Sequence, residues 1–403
     1  MTSLQNAQTE PLDKISPARL VTRPFVLVVA CNMAIFTAIG VLTPVLPRLV
    51  TRQLGGNNAD LGRMTLIYAA GAIGSRPLLS VISRRFGAKQ NMMLGAIVAG
   101  LGFMLNYNVD SFGVLGLGRA ISAIGEALSW VGFSTLISEL APEHRQAEAT
   151  SISSTSIFGG LALGPLLGEP LAKSGRYNDA VLLIVALSVL ALVLALFAPT
   201  STAPKATWRM RWRDVFHPHA LATGLTLGLC VVGWVAWSNL VALHADDLGM
   251  KSAGPIFTLY AVLALCLRVF GAKLPERIGL VHCAKIAAVF IAMGCAALFI
   301  DNTPRGIYVG TAILAAGIAL MYPALAALTI ARQPNPTQRA VLLGSFSLFF
   351  ELGSGFGGAI IGPTADHFGR RSGFLVGAIV PLLALVTIRT LIVPGLRKAT
   401  ELR

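Results

Sequence analysis

The feature that most constrains this chain is a series of apolar runs, each long enough to cross a lipid bilayer as a helix. A transmembrane helix needs about 20 predominantly apolar residues. Such runs lie near 25–47, 60–82, 90–107, 112–139, 148–171 and 179–198, and then near 220–243, 254–274, 283–300, 306–331, 341–363 and 373–394. Charged residues make up only 12% of the chain, against about 25% in a soluble domain. This excludes a soluble globular enzyme and predicts an all-α polytopic membrane protein with twelve transmembrane helices.

The predicted organisation is two six-helix bundles joined by a polar linker. The segments are a cytoplasmic N-terminal segment (1–24), a first bundle (25–198), a cytoplasmic linker (199–219), a second bundle (220–396) and a cytoplasmic tail (397–403). With both termini inside, 19 basic residues fall in inside connections and 9 in outside ones. Because Lys and Arg accumulate on the cytoplasmic side, we expect a multi-pass inner-membrane protein with both termini cytoplasmic. The same bias explains the net charge of +14 without a nucleic-acid partner.

The two halves of the chain repeat each other at an almost constant shift. Identical residues recur 192 or 194 positions apart, in the pairs Tyr68–Tyr260, Arg76–Arg268, Gly87–Gly279, Gly125–Gly317, Pro142–Pro336, Arg145–Arg339, Gly168–Gly362 and Gly175–Gly369. Two homologous halves of six helices have parallel topology and are related by an axis along the membrane normal. We therefore expect pseudo-symmetric bundles around a binding site near the middle of the bilayer.

The connection between the second and third predicted spans resembles the cytoplasmic signature of the major facilitator superfamily, G-x-L-a-D-R-x-G-R-K. The segment reads Ser80-Val81-Ile82-Ser83-Arg84-Arg85-Phe86-Gly87-Ala88-Lys89, and its second copy reads Ala272-Lys273-Leu274-Pro275-Glu276-Arg277-Ile278-Gly279. The resemblance implies the major facilitator fold and gate-structural roles for Arg76, Arg84, Arg85, Gly87, Lys89, Arg268, Glu276 and Arg277. In the family an acid at the position of Arg84 caps a neighbouring helix N-terminus, so the cation predicts a weaker inner latch.

The fifth predicted span resembles the antiporter signature of the bacterial twelve-helix drug:proton efflux permeases in that superfamily. Its pattern is Gly160-x-x-x-Gly164-Pro165-x-x-Gly168. Glycines four residues apart let two helix backbones approach closely, and proline bends the helix. We expect these residues to form a compliant edge of the interface that rocks during transport. Generic packing of membrane helices is the alternative.

A third stretch, residues 362–371, also resembles the cytoplasmic signature and contains Asp366. The predicted topology places this stretch outside. We therefore interpret it as an accidental resemblance.

Few ionisable residues fall inside the predicted spans. An ionisable group at membrane depth is costly unless it is paired, neutralised or hydrated, which makes each one a functional candidate. Glu126 lies mid-way along the fourth span, seven residues after Arg119 and on nearly the same helix face. The resemblance implicates Arg119 in proton coupling, through a helix-4 pattern R-x-x-x-G-x-G whose middle glycine is Ala123 here. Glu351 in the eleventh span is the third proton-coupling candidate, and a fixed salt bridge or a bond to a freed carbonyl is the alternative for each acid.

Aromatic and polar residues on the helices that line the cavity in the family suggest an amphipathic or aromatic substrate. The candidates are Asn32, Phe36, Trp130, Trp234, Trp237, Asn239 and Tyr322. The histidines fall in or near loops without metal-ligand spacing, and the sequence contains no phosphate-binding glycine loop, catalytic triad signature or H-E-x-x-H. We therefore expect no metal, no cofactor, no catalytic residues and no enzymatic activity.

The predicted function is secondary active transport. We expect proton-coupled export of a small organic molecule, drug-like or an endogenous metabolite, by alternating access in a monomer whose partners are the lipid bilayer, the substrate and protons. A proton-coupled importer of the same fold stays open, because no motif specifies direction. A non-transporting membrane sensor is a further alternative, although the link at 200–219 is too short for a signalling domain.

Overall fold

A computed structural model describes residues 20–142, 145–200, 216–271, 274–331 and 336–395, and every regular element in these ranges is a helix. The predicted N-terminal segment, linker and tail lie mostly outside them. The helices are α1 (Arg23–Arg48), α2 (Asn58–Gly74), α3 (Arg76–Arg85), α4 (Ala88–Met104), α5 (Phe112–Leu140), α6 (Gln146–Lys173), α7 (Tyr177–Phe197), α8 (Pro218–Asp247), α9 (Gly254–Phe270), α10 (Leu274–Ile278), α11 (Leu280–Ile300), α12 (Pro304–Ile330), α13 (Pro336–Phe368) and α14 (Arg370–Thr387). π-Helical turns extend α1 to Gln53 and α14 to Ile392.

Length and hydropathy identify eight membrane-spanning helices in the described residues, and nine spans when the bent pair α2–α3 counts as one. The helices α4 and α9 have only 17 residues, and α6 contains serines, glycines and prolines that lower its hydropathy. All three still pack into the helical assembly, α4 against α5, α6 against α1 and α9 against α12. The all-helical membrane fold is confirmed, while this criterion identifies eight or nine of the twelve predicted spans.

The second predicted span is two helices rather than one. The axes of α2 and α3 differ by 44° across Ser75. Pro77 lacks an amide hydrogen and its ring collides with the carbonyl four residues earlier, so the helix cannot continue straight. As a result α2 packs mainly against α13 and α5, whereas α3 packs against α4 and α5.

Most buried apolar side chains cluster with others of the same half, while a small cluster of Phe158, Ala264 and Ala319 joins the two halves. The largest cluster takes its buried members from residues 220–392. The first half has two clusters at opposite ends of its helices, one around Phe25 and Ala195 and one around Val45 and Phe103. We call the end at which Arg23 and Phe197 lie the near end, and the end at which Arg48 and Asp246 lie the far end.

Most of the contact between the bundles in the described residues is made by two helix pairs, α2 with α13 and α6 with α9, and a smaller contact joins α1 with α8. The α2–α13 contact is made by backbones. A Cβ atom built on Gly62 would collide with the carbonyl of Gly358, and one built on Gly362 would collide with the carbonyl of Asn58. Glycine is therefore required at these positions of the interface.

Candidate functional site

A carboxylate, a phenol and a guanidinium meet between α2 and α5. Ser111 caps the start of α5 by accepting a hydrogen bond from the Val114 amide, and the regular helix that follows places Arg119 and Glu126 two turns apart. The Tyr68 hydroxyl on α2 donates to Glu126 Oε2 at 2.5 Å. The guanidinium carbon of Arg119 lies 4.3 Å from the centroid of the Tyr68 ring. Arg119 and Glu126 are thus brought together through Tyr68, which sequence analysis found only as a repeated residue.

Glu126 is held in an unusual environment for a carboxylate. Its side chain is 8% exposed, and Oε1 has no hydrogen-bond partner among the described residues. The neighbouring Gly125 packs against the backbone of Ala99 on α4, which closes that side of α5. A buried carboxyl group with one oxygen unpartnered in the described residues is a functional candidate at membrane depth.

The second bundle contributes Glu351 from α13. This carboxylate interacts electrostatically with Arg76 and Arg119 of the first bundle, and its Oε2 atom is buried without a partner in the described part of the chain. Arg76 in turn donates to the Gly344 carbonyl at 3.4 Å and to Ser347 Oγ at 3.2 Å, both on α13. All three proton-coupling candidates therefore lie in one cluster that crosses the interface.

Arg268 occupies the corresponding interface on the other side of the molecule. Its guanidinium carbon lies 4.1 Å from the ring centroid of Phe158 on α6. Phe158 packs with Ala319 on α12, one turn before Tyr322. Tyr322 in turn packs against Phe346, the residue before Ser347, which accepts from Arg76. Tyr322 therefore lies along the series of contacts that joins the two repeated arginines.

The predicted substrate-binding residues are not all in one place. In the first bundle Asn32 Nδ2 donates to Ser156 Oγ at 2.9 Å, and Phe36 meets the 43%-exposed Trp130 edge to face, with 6.1 Å between ring centroids. These contacts join α1 with α6 and with α5.

In the second bundle Trp234 packs against Phe350, and Tyr322 packs against Phe346. Asn239 Nδ2 reaches across to Thr65 Oγ1 at 3.1 Å. The indole of Trp237 instead donates to Thr311 Oγ1 at 2.9 Å and stacks on Tyr260. Trp237 is 2% exposed and lies in the second-bundle core.

The gate residues of the first signature copy lie at the near end. Arg84 and Arg85 are in the last turn of α3, where the dipole of their own helix favours a cation. The weaker contact with a neighbouring helix N-terminus stays a prediction. Gly87 precedes α4, and Lys89 donates to the Leu196 carbonyl at 2.8 Å.

In the second copy of the signature, Arg277 lies exposed in the last turn of α10. The side chain of Glu276 lies outside the described residues.

The glycine pattern of α6 packs inside the first bundle. Cβ atoms on Gly160, Gly164 and Gly168 would collide with α1, at Thr37, Gly40 and Val41 respectively. Pro165 lies next to Gly40 in the same contact. The glycines face α1 while other residues of α6 face α9, so the close backbone approach lies within the first bundle. Its part in the rocking motion stays a prediction.

A buried ionic cluster joins the bundles at the far end. The fully buried Arg48 donates through Nη1 and Nη2 to Glu169, at 2.6 and 3.0 Å, and through Nε and Nη2 to Asp246, at 2.7 and 3.0 Å. Asp246 also accepts from Arg52 and Lys173, both at 2.6 Å. We call these five residues the far-end cluster. By sequence its cations fall in predicted outside connections, and nothing local shows that they meet an acid from the other half.

Asp366 joins the same ends of the two bundles. Its carboxylate accepts hydrogen bonds from the backbone amides of Asn58 at 2.9 Å and Ala59 at 2.7 Å, at the start of α2. This is a helix N-cap supplied from the other bundle. Residues 362–371, interpreted above as an accidental resemblance, thus contain an acid that caps a helix N-terminus at the far end. The family's signature acid is expected to make the same kind of contact at the inner gate.

The profile of the Major Facilitator Superfamily matches residues 28–300 and, in a second match, residues 252–402. The chain belongs to the Major Facilitator Superfamily. It is therefore a membrane transporter of the major facilitator type, and the predicted family and fold are confirmed.

Among its relatives is an uncharacterized MFS-type transporter of Burkholderia mallei, 27% identical over 370 residues that cover 89% of each chain. Another, from Salmonella typhimurium, is 27% identical over 85% of this chain and 84% of its own.

Solved structures of superfamily members share the fold at low sequence identity. A mutant of the nucleoside transporter NupG superposes with a TM-score of 0.76 at 14% identity, over 91% of this chain and 99% of its own. A POT family transporter in complex with a conjugated peptide has a TM-score of 0.76 at 13% identity, over 93% and 96%. The human organic anion transporter MFSD10 has a TM-score of 0.67 at 13% identity, over 90% and 98%.

Proposed function

We propose that this superfamily member is a proton-coupled exporter of a small organic molecule, with Glu126 as its proton carrier. The observation that supports this most is the buried Glu126 carboxylate, which has one oxygen on the Tyr68 hydroxyl and one without a partner in the described residues. Burial favours the neutral carboxyl, whereas the hydrogen bond and the nearby Arg119 favour the carboxylate. A movement of α2 relative to α5 therefore changes which form is preferred.

Alternating access couples protonation of Glu126 to the relative movement of the two bundles. Tyr68 lies on α2, which packs against α13 of the other bundle, so a change at that interface displaces the hydroxyl from Glu126. The far-end cluster and Asp366 hold the bundles together at one end. At the other end α3 and α10 pack mainly within their own bundles. This arrangement corresponds to a state that is closed at the far end.

The near end is proposed to face the cytoplasm. The connections assigned to it hold about twice as many basic residues as those at the far end, as expected for cytoplasmic loops. Both termini would then be cytoplasmic, in the inner membrane. Export is proposed from the resemblance of the α6 pattern to the antiporter signature, and the close contact of its glycines with α1 is compatible with that role.

The proton role of Glu126 can be tested without knowing the substrate. Spin labels on cysteines at Gln90 and Arg277, which are exposed at the near ends of the two bundles, report the opening of that end. The background is Cys266→Ser, because the other four cysteines are buried. We expect the inter-label distance in the wild type to change between acidic and alkaline pH, and the distance in Glu126→Gln to be independent of pH.

The matched control is Glu139→Gln, which makes the same substitution on the same helix nearer its end. We expect this variant to keep the wild-type pH response. If Glu126→Gln responds to pH as the wild type does, Glu126 is not the proton carrier.

The direction of transport is tested in proteoliposomes of known protein orientation. The probe is the compound that most raises the apparent melting temperature in a screen, since a ligand of the folded state stabilises it. Counter-movement of compound and protons supports export, and parallel movement makes the protein an importer. A pH-dependent distance change without flux of any stabilising compound would favour the sensor.

A further inference from the structure

We propose that the transported molecule is an organic anion whose acidic head group binds at Arg268, Tyr322 and Arg76. This inference rests on the proposed function and specifies its substrate class. It also changes the interpretation of Arg76 and Arg268, which sequence analysis assigned to the gate. The anion site lies beside the proton site, and Glu351 lies between them.

Charge balance within the spans favours a bound anion. Apart from the far-end cluster, the arginines and glutamates in the middle of the described spans are Arg76, Arg119, Arg268, Glu126 and Glu351. Three cations and two acids leave one positive charge in excess, and protonation of Glu126 would leave two. An uncompensated charge at membrane depth is unfavourable. A bound anion removes the excess.

The excess charge lies at Arg268. Glu351 acts electrostatically on Arg76 and Arg119, whereas the observed contact of the Arg268 guanidinium is with the uncharged Phe158 ring. Among the described residues, Arg268 has no carboxylate oxygen within ion-pair distance, and its Nε atom is buried without a partner. Arg268 is therefore the cation with the greatest need of an acidic partner.

The geometry of the Arg268 side chain suits an acidic head group. Its guanidinium carbon lies 4.1 Å from the ring centroid of Phe158. Arginine combines contact with an aromatic face with N–H donors arranged to bind both oxygens of a carboxylate, sulfonate or phosphate. Tyr322 packs against Phe346, the residue before Ser347, which accepts from Arg76, and its phenol adds a hydroxyl that can donate. The paired rings of Trp234 on α8 and Phe350 on α13 suit an aromatic body.

The experiment compares three probes of similar shape and different charge on the purified full chain. Benzenesulfonate is permanently anionic, benzenesulfonamide is neutral and phenyltrimethylammonium is cationic. Binding is measured by tryptophan fluorescence and by the shift of apparent melting temperature. We expect benzenesulfonate to bind and the other two to bind at least tenfold more weakly, because a charge-assisted hydrogen bond is lost.

The variant Arg268→Gln should weaken benzenesulfonate binding about tenfold or more, and Arg268→Lys should keep part of the wild-type affinity. The control Arg305→Gln, which changes an exposed arginine at the far end, should keep all of that affinity. The substrate-free Arg268→Gln protein should melt at the wild-type temperature or higher, because an uncompensated charge has been removed. A structural arginine would instead lower the melting temperature.

Two results would overturn the proposal. One is equal or stronger binding of the neutral or cationic probe, and the other is benzenesulfonate binding that Arg268→Gln leaves unchanged. Absence of binding by benzenesulfonate, naphthalene-2-sulfonate and phenyl phosphate alike also counts against it. The distance between the two near-end spin labels is also measured as a function of pH in Arg268→Gln. An intact pH response with failed anion binding rejects the substrate class alone, whereas a missing response in the wild type rejects the proton-coupled function.

Discussion

Asp246→Asn tests whether the far-end cluster holds the transporter closed at that end. Asp246 lies on α8 of the second bundle, and the cations that it binds lie on α1 and α6 of the first. Asparagine keeps the shape of the side chain and removes its charge. Arg48 keeps its two bonds to Glu169 within the first bundle, so the substitution weakens mainly the contact between the bundles.

The size of the effect follows from the burial of each pair. Arg48 is fully buried and Asp246 is 10% exposed, and charge-assisted bonds of this kind contribute about 1.5–3 kcal/mol. Arg52 and Lys173 are 44% and 35% exposed, so solvent reduces each of their pairs to about 0–1 kcal/mol. The loss is then about 1.5–5 kcal/mol. Because 1.4 kcal/mol is a tenfold change, the ratio of far-end-closed to far-end-open molecules should fall roughly 10- to 4,000-fold.

The assay is a distance measurement across the far end. Spin labels on cysteines at Asp110 and Asn302 occupy exposed far-end loops of the two bundles, again in the Cys266→Ser background. The wild type should give one short distance. Asp246→Asn should give a second, longer distance as the main population in lipid nanodiscs.

The matched control is Asp247→Asn. It makes the same change of charge one residue away, but Asp247 pairs with Arg370 inside the second bundle, so the far-end distance should stay that of the wild type. Indistinguishable distance distributions for Asp246→Asn and Asp247→Asn would refute the conclusion that the cluster closes the far end.

Three further substitutions test other contacts. Asp366→Asn weakens the cap on α2 by about 0.5–2 kcal/mol. The longer far-end distance should therefore appear, at a smaller population than in Asp246→Asn. An unchanged distance distribution would mean that the cap does not hold the far end closed. Gly164→Val forces α6 away from α1 and should lower the apparent melting temperature in detergent, whereas Gly113→Val, at a position with open space around its Cβ, should not. Tyr68→Phe keeps the ring and deletes the donor to Glu126, so the pH-dependent change at the near end should shrink, and a wild-type response would separate Tyr68 from proton binding.

The helical membrane fold could be predicted because its causes are local. A run of about 20 apolar residues is stable in a bilayer only with its backbone hydrogen bonds closed internally, and a helix does this within one segment. The breaks were harder to predict. The run at 60–82 is continuous in hydropathy, yet Pro77 divides it into α2 and α3.

Part of the central site could also be predicted, because helix geometry relates residues on one helix. The seven-residue spacing places Arg119 and Glu126 on one face of α5. That Tyr68 rather than Arg119 is the hydrogen-bond partner of Glu126 depends on how α2 crosses α5. No pattern along either helix specifies that contact.

Hydropathy, helix periodicity and the internal repeat predicted, from the sequence alone, a helical membrane protein of two related halves with a few ionisable residues inside its spans. The resemblance of its signatures to those of the superfamily added the prediction of a transporter. Only the tertiary structure decided which groups meet. Arg48 and Asp246 are far apart in the chain and pair because α1 and α8 end side by side. Gly168 and Gly362 are equivalent in the repeat, yet one packs on α1 of its own bundle and the other on α2 of the opposite bundle. The physical reason is that burial and helix formation act on neighbouring residues, whereas an ion pair or a backbone contact between bundles depends on the packing of the whole chain.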